Sequence, residues 1–255
     1  MRSAAVPGFL PSVHGFHFAN RWPAGPTVRL GPLDPRWVGI GDASAGLCGG
    51  MVATVRDLFE AGVAPPADAA PPPNGSPRFR AIVRRQVQTL AWGRVPLRYW
   101  DLQAFRSDPP AGLAALLGRE TARVVAVRDE WPRIRAAIEV GVLPVVGLVR
   151  VSGWSPRLLT VNHQVLAYAF EEGAAGFRVR VYDPNHPCRD DVELRAEVDP
   201  DDGRPARERI RLAQSTGEPL LGFFRQPDAA PAGSLRAWRP DRGAPAAEPR
   251  PRMPA

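Results

Sequence analysis

Three residues whose side chains can form a hydrolytic triad occur along the chain in the order Cys48, His163 and Asp183. Cys48 lies in residues 46–51 (GLCGGM), where a glycine-rich turn gives way to a segment with helical apolar periodicity. This pattern predicts that the sulfur lies at a helix N-terminus, where free N–H groups and the helix dipole favour the nucleophilic thiolate. Cys, then His, then Asp or Asn is the order of a cysteine-nucleophile triad.

The segment around Asp183 offers two residues that can orient the histidine. We expect Asp183 to accept the imidazole N–H, with Asn185 as the alternative orienter, although Asp-Pro-Asn is also ordinary turn chemistry at a strand end. Predicted strands at 161–171 and 177–182, joined by a turn at 173–176, place His163 across from about Asn185. Asp183 is then a diagonal neighbour on the same face, and a register shift of one residue would separate the pair.

The sequence patterns that could indicate an oxyanion donor, a metal site or a phosphate-binding loop are weaker. Asn20 is a candidate oxyanion donor, but an Asn-capped turn after an N-terminal strand is the simpler explanation. His186 and Cys188 follow Asp183 closely and, with Cys48 and His163, could supply metal ligands, but paired ligand spacings are missing. A glycine-rich phosphate-binding loop is also missing from the sequence. We therefore expect no metal and no cofactor.

On these residues the chain resembles the papain-like-fold cysteine peptidase superfamily, above all its bacteriocin-processing (peptidase C39-like) bacterial branch. The resemblance covers about residues 16–225 and is carried by the Cys turn and the His/Asp hairpin. It implies that Cys48 is the nucleophile, His163 the base and Asp183 the orienter. Those families usually place a Gln a few residues before the Cys as oxyanion donor, and residues 40–47 contain none.

The resemblance implies a cysteine hydrolase, a peptidase or amidase, that acts through an acyl-enzyme. An acyltransferase would use the same three residues with an amine as acceptor, so the triad does not separate the two activities. A non-catalytic binding module of the same fold is a third interpretation, motivated by the missing Gln. The expected partner is a peptide, amide or thioester substrate; the sequence determines neither the substrate nor the oligomeric state.

Composition limits the other classes of function. A chain of 255 residues with 44% apolar side chains can bury one sizeable core. Its charge of +7 comes from 33 arginines spread along a chain without lysine, and without a basic block we expect no nucleic-acid partner. Two cysteines do not make a disulfide scaffold. The N-terminus lacks a signal-peptide core, and the longest uncharged apolar run is too short for a membrane helix, so we expect a cytoplasmic protein.

The periodicity changes from helical to strand-like half-way along the chain. Helices are predicted around 51–59, 79–90, 113–117 and 131–138, the last with Asp129 as its N-cap, and six strands are predicted from residue 143 onward. The predicted fold class is α+β: a papain-like two-lobed fold with an N-terminal helical half, containing the Cys helix, and a C-terminal antiparallel β half. The predicted organisation is a flexible N-terminus (1–12), a peptidase domain (13–227) and a disordered tail rich in Pro, Ala and Arg (228–255).

Overall fold

The structure, a computed structural model, describes residues 1–22, 46–108, 119–230, 233 and 235–238. Within these residues the helices are α1 (Pro11–His14), α2 (Cys48–Glu60), α3 (Pro77–Thr89), α4 (Arg94–Ala104), α5 (Ala122–Val125), α6 (Trp131–Glu139) and α7 (Ala206–Arg209). The strands are β1 (Arg2–Ala5), β2 (Val145–Val149), β3 (His163–Gly173), β4 (Gly176–Tyr182), β5 (Glu193–Val198), β6 (Ile210–Gln214) and β7 (Gly222–Arg225).

Helix α2 is buried because two glycines let its neighbour come close. A Cβ added to Gly50 would lie 2.2 Å from the carbonyl oxygen of Ile82 in α3, so the first turn of α2 fits directly against the α3 backbone. The following apolar residues, such as Met51 and Val55, are fully buried. Helix α3 begins with Ser76 as its N-cap, whose hydroxyl accepts a hydrogen bond from Phe79 N at 3.2 Å.

The strands form one curled antiparallel sheet with the order β6-β5-β4-β3-β2-β7, and β1 pairs with the distal part of β3. Strand β4 alternates between buried and exposed side chains over most of its length, as a strand with one solvent face should. The main core lies between this sheet and the helices α2, α3 and α6. The predicted α+β class is therefore confirmed, and the six predicted strands correspond to β2 through β7.

The β3–β4 hairpin contains an irregularity that determines which residues share a face. From the two-residue turn outward, Gly173 pairs with Gly176 and Ala169 with Arg180. The register then shifts between Ala167 and Ala169, so that Leu166 pairs with Tyr182. Tyr168 is thus the extra residue of a β-bulge, and every pairing on the site side of it is displaced by one residue.

Two predicted boundaries are wrong. Residues 1–12 were expected to be a flexible N-terminus, but β1 pairs with β3, and Val6 and Phe9 are buried in the core. The tail was expected to be disordered from residue 228, but Trp238, in a short 3-10 helix, is 4% exposed and packs against the Phe16 ring at 5.2 Å. Burial of these large apolar side chains provides the free energy that a disordered segment lacks. Residues 239–255 lie outside the described part.

The helical half also departs from the sequence prediction. Asp129 is not an N-cap, because a π-helical turn (Ala126–Glu130) joins α5 directly to α6. Helix α4 was not predicted, and the predicted helix at 113–117 lies outside the described residues. None of the described helices combines the length and the apolar character needed to cross a bilayer.

Candidate active site

His163 and Asp183 are in direct contact at the open end of the β3–β4 pair. His163 is the first residue of β3, and Asp183 follows the last residue of β4. The His163 Nε2 atom lies 2.6 Å from Asp183 Oδ1, a charge-assisted hydrogen bond between side chains that are 4% and 0% exposed. The bulge at Tyr168 makes this possible, because it places Asp183 opposite Val165 and therefore on the same face as His163.

Cys48 is the first residue of α2, as predicted, and its side chain is partly exposed. The thiol lies close enough to the His163 ring to contribute to the raised pKa of the imidazole. Since Asp183 holds Nε2, the ring nitrogen that remains for the thiol is Nδ1. The structure therefore brings Cys48, His163 and Asp183 together in one row, with the imidazole between the thiol and the carboxylate.

The electrostatics of the row favour an ion pair. Burial alone would lower the pKa of His163, but the charge and hydrogen bond of Asp183, with a further contribution from Cys48, raise it to about 9. Burial alone would raise the pKa of Asp183, but the charge and hydrogen bond of His163, the Asn185 N–H and Arg150 lower it to about 2. At neutral pH the pair is therefore an imidazolium held by a carboxylate.

Two residues that the sequence analysis did not identify lie close to Asp183 Oδ2, the carboxylate oxygen that does not bond to His163. Gln214, the last residue of β6, donates from Nε2 to Asp183 Oδ2 at 2.9 Å. Arg150 donates to Gln214 Oε1 at 3.0 Å and lies 3.9 Å from Asp183 Oδ2. Curling of the sheet brings these residues from the ends of β6 and β2 to one carboxylate, and no local sequence pattern indicates that contact.

The backbone on each side of the imidazole is fixed by hydrogen bonds. Tyr99 of α4 donates its hydroxyl to His163 O at 2.6 Å, and its ring is 5% exposed. Asn162 Oδ1 accepts from Arg150 N at 3.0 Å, and Asn162 Nδ2 donates to Gln103 Oε1 at 2.8 Å. These bonds limit the movement of the first residue of β3, so the ring is presented to Cys48 in a defined position.

Asn20 connects the Cys turn to the Asp turn. Its Oδ1 accepts from Leu47 N at 2.7 Å, and its Nδ2 donates to Asn185 Oδ1 at 3.3 Å. Asn20 N also donates to Pro184 O at 2.8 Å. The structure thus places the candidate oxyanion donor beside the residue before the nucleophile, with its side-chain donor directed at Asn185. The alternative orienter, Asn185, contacts Asn20 with its side chain and Asp183 with its backbone N–H.

The glycines after Cys48 have a packing role of their own. A Cβ on Gly49 would lie 2.4 Å from Gln164 Oε1 and 2.8 Å from Thr89 Oγ1. Gly49 and Gly50 therefore let β3 and α3 approach α2 closely. The same close approach carries the start of β3, and with it His163, to the start of α2. The packing role and the site role of this turn therefore do not exclude each other.

The residues considered for a metal site are separated by other interactions. His186 Nε2 lies 2.7 Å from Glu218 Oε1, and Cys188 is exposed with a positive φ of 59°. Among the described residues, no three His, Cys, Asp or Glu side chains are grouped in a way that could hold a metal ion.

Comparison of the chain with protein-family models, with curated proteins and with solved structures gave no match.

Proposed function

We propose that the protein is a cysteine hydrolase of peptide or amide bonds that acts through an acyl-enzyme. The observation that carries the proposal is the row of Cys48, His163 and Asp183, with the 2.6 Å bond between the last two. Nucleophile, base and orienter within hydrogen-bonding reach of one another are what such catalysis requires. In this proposal α2 and the curled sheet correspond to the two facing lobes of a papain-like fold.

Each step of the reaction has a residue that can perform it. The Cys48 thiolate attacks the carbonyl carbon, and the helix leaves the backbone N–H of Cys48 free to hold the oxyanion, since Met51 N is the first to bond back, to Leu47 O. Collapse of the tetrahedral intermediate breaks the C–N bond while the His163 imidazolium gives its proton to the leaving amine. The neutral His163 then removes a proton from water, and the resulting hydroxide attacks the thioester carbonyl carbon. The C–S bond breaks, the acid product leaves, and the thiolate–imidazolium pair is restored.

Labelling tests the activated nucleophile without any knowledge of the substrate. Iodoacetamide should alkylate Cys48 faster than the exposed Cys188, and His163→Ala should slow Cys48 alone, because the thiolate loses its counter-ion. Cys188 serves as the internal control within the same molecule. Equal labelling of both cysteines in the native protein, unchanged by His163→Ala, would contradict the proposal.

Turnover distinguishes the two possible orienters. Asp183→Ala should lower kcat by on the order of 10³ to 10⁴, because the imidazole loses the acceptor that fixes its tautomer. Asn185→Ala should cost less than about tenfold, because its side chain contacts Asn20 and not the imidazole. The substrates are found by incubating the protein with peptide and thioester libraries and identifying the products by mass spectrometry. Amide formation from thioesters without peptide cleavage would instead establish an acyltransferase.

A further inference from the structure

Acidic residues are distributed unevenly around the candidate site. Residues 1–22, 69–100 and 140–170 contain no Asp or Glu, although the chain has 26 acidic residues and 12 of them fall in residues 171–218. These same three segments supply Asn20, Thr89 and His163 to the surroundings of Cys48. The use of arginine in place of lysine along the chain does not explain why carboxylates are missing from these segments.

Each of the three segments presents an exposed arginine. Arg21, Arg94 and Arg157 are exposed, and none of them forms an ion pair with another described residue. Most other arginines of the described part are paired, for example Arg204 with Asp202 at 2.6 Å. Among the described residues, five exposed arginines on these segments therefore lack an ion-pair partner, the other two being Arg80 and Arg84 of α3.

Chain connectivity places these arginines on segments that contact residues of the site. Arg21 follows Asn20, whose Oδ1 is 2.7 Å from the backbone nitrogen of the residue before Cys48. Arg94 opens α4, the helix whose Tyr99 binds His163 O. Arg157 lies in the 3-10 turn Pro156–Val161, which ends just before Asn162 and His163.

The carboxylates nearest in sequence or fold do not cancel this charge. Asp57 is nine residues along α2 from Cys48, about 13 Å at 1.5 Å per residue, and it forms a buried ion pair with Arg85. Glu218 is paired with His186, and Asp183 is buried against His163. Residues 23–45, outside the described part, contain two arginines and two aspartates and so add no net charge.

We propose that the site takes anionic substrates, namely peptides with acidic side chains flanking the bond to be cleaved. This inference rests on the proposed function for its chemistry and concerns which substrates the cleft favours. A cleft lined by one sign of charge raises the local concentration of the opposite charge and speeds its association. Basic peptides of the same length should accordingly be poor substrates, and the preference should weaken as salt screens the arginines.

The local charge can be measured with two reagents that differ only in charge. Iodoacetate is an anion and iodoacetamide is neutral, so the ratio of their rates at Cys48 reports the potential at the thiol. At an ionic strength of about 10 mM, the triple variant Arg21→Gln/Arg94→Gln/Arg157→Gln should lower this ratio about fourfold, for three charges taken to lie about 10 Å from the sulfur in water. The matched control removes three exposed arginines that carboxylates already pair: Arg128→Gln, Arg204→Gln and Arg211→Gln. This control variant loses the same net charge as the triple variant and should leave the ratio of iodoacetate to iodoacetamide rates at Cys48 nearly unchanged.

A second measurement keeps this inference separable from the proposed hydrolysis. Binding of two fluorescent peptides, identical except for Glu or Lys at four positions, is followed with Cys48→Ser, which cannot turn over. We expect the Glu peptide to bind several-fold more tightly, with the difference lost in the triple variant and in 0.5 M salt. If the protein cleaved no peptide and yet showed the expected ratio of alkylation rates and the expected difference in peptide affinity, the anionic preference would stand without the proposed hydrolysis. An unchanged iodoacetate ratio in the triple variant, or equal binding of the two peptides, would overturn it.

Discussion

Replacing Asp183 with Asn should change how the stability of the protein depends on pH. Contact with Asp183 raises the pKa of His163 from its ordinary value of 6.5 to about 9. The folded protein therefore binds this proton more tightly than the unfolded chain does. The resulting stabilisation is fully present below pH 6.5 and is lost as the pH rises through about 9. The lowered pKa of Asp183 adds stability that is present above pH 3.8 and lost as the pH falls through about 2.

The size of the effect follows from the shift of His163. At roughly 1.4 kcal/mol per pH unit, the wild-type protein should lose about 3 kcal/mol of unfolding free energy between pH 6.5 and 9 through this one group. Asn keeps the shape of Asp183 but not its charge, so most of this decline should disappear in Asp183→Asn. The two curves should differ most near pH 6 and converge toward pH 9. Urea unfolding at pH 5, 6, 7, 8 and 9 measures the difference.

An exposed carboxylate provides the control for this experiment. Asp191 pairs with Arg189 at the surface, so Asp191→Asn removes the same charge without touching the site. The unfolding free energy of Asp191→Asn should follow the wild-type curve at every pH. Parallel curves for wild type and Asp183→Asn from pH 6 to 9 would refute the reasoning, because they would mean that His163 is not an imidazolium in the folded protein.

Two further changes test the packing that holds the site. Gly50→Ala should cost roughly 2–3 kcal/mol of unfolding free energy, because the new methyl group meets the Ile82 carbonyl, whereas Gly173→Ala has open space and should change it by less than about 1 kcal/mol. Trp238→Ala should cost roughly 3–5 kcal/mol because it empties a buried position, and the surface variant Trp154→Ala serves as its control. Denaturant unfolding measures all four variants. Equal losses of unfolding free energy for Gly50→Ala and Gly173→Ala, or for Trp238→Ala and Trp154→Ala, would contradict the packing described.

Patterns confined to one element were predictable from the sequence. The glycine-rich turn and apolar stripe after Cys48 give α2, and alternating side chains give β4, because each pattern depends only on neighbouring residues. The proximity of Cys48 and His163 follows less directly. It was expected from their order and from the resemblance, and the structure brings them together through the approach that Gly49 allows.

Contacts that depend on distant segments were not predictable. Gln214 and Arg150 reach Asp183 only because the sheet curls, and neither carries a local signal. The first strand was missed because Arg2–Ala5 is short, contains no large apolar residue and gains its order from pairing with β3. The composition around Trp238 predicts a disordered tail, but the burial of its ring against Phe16 orders this segment against the core.

The bulge at Tyr168 divides the β3–β4 hairpin into two parts with different tolerance of mutation. On the site side, a single-residue insertion or deletion would move Asp183 to the opposite face of the sheet and away from His163. At the tip, the turn residues Ala174 and Ala175 lie beyond the pairs that close the hairpin. A loop, an epitope or a fluorescent label inserted between them leaves every pairing on the site side in register. This turn is therefore a suitable place for a label that leaves the site intact, and a place where related chains can differ in length without losing the site.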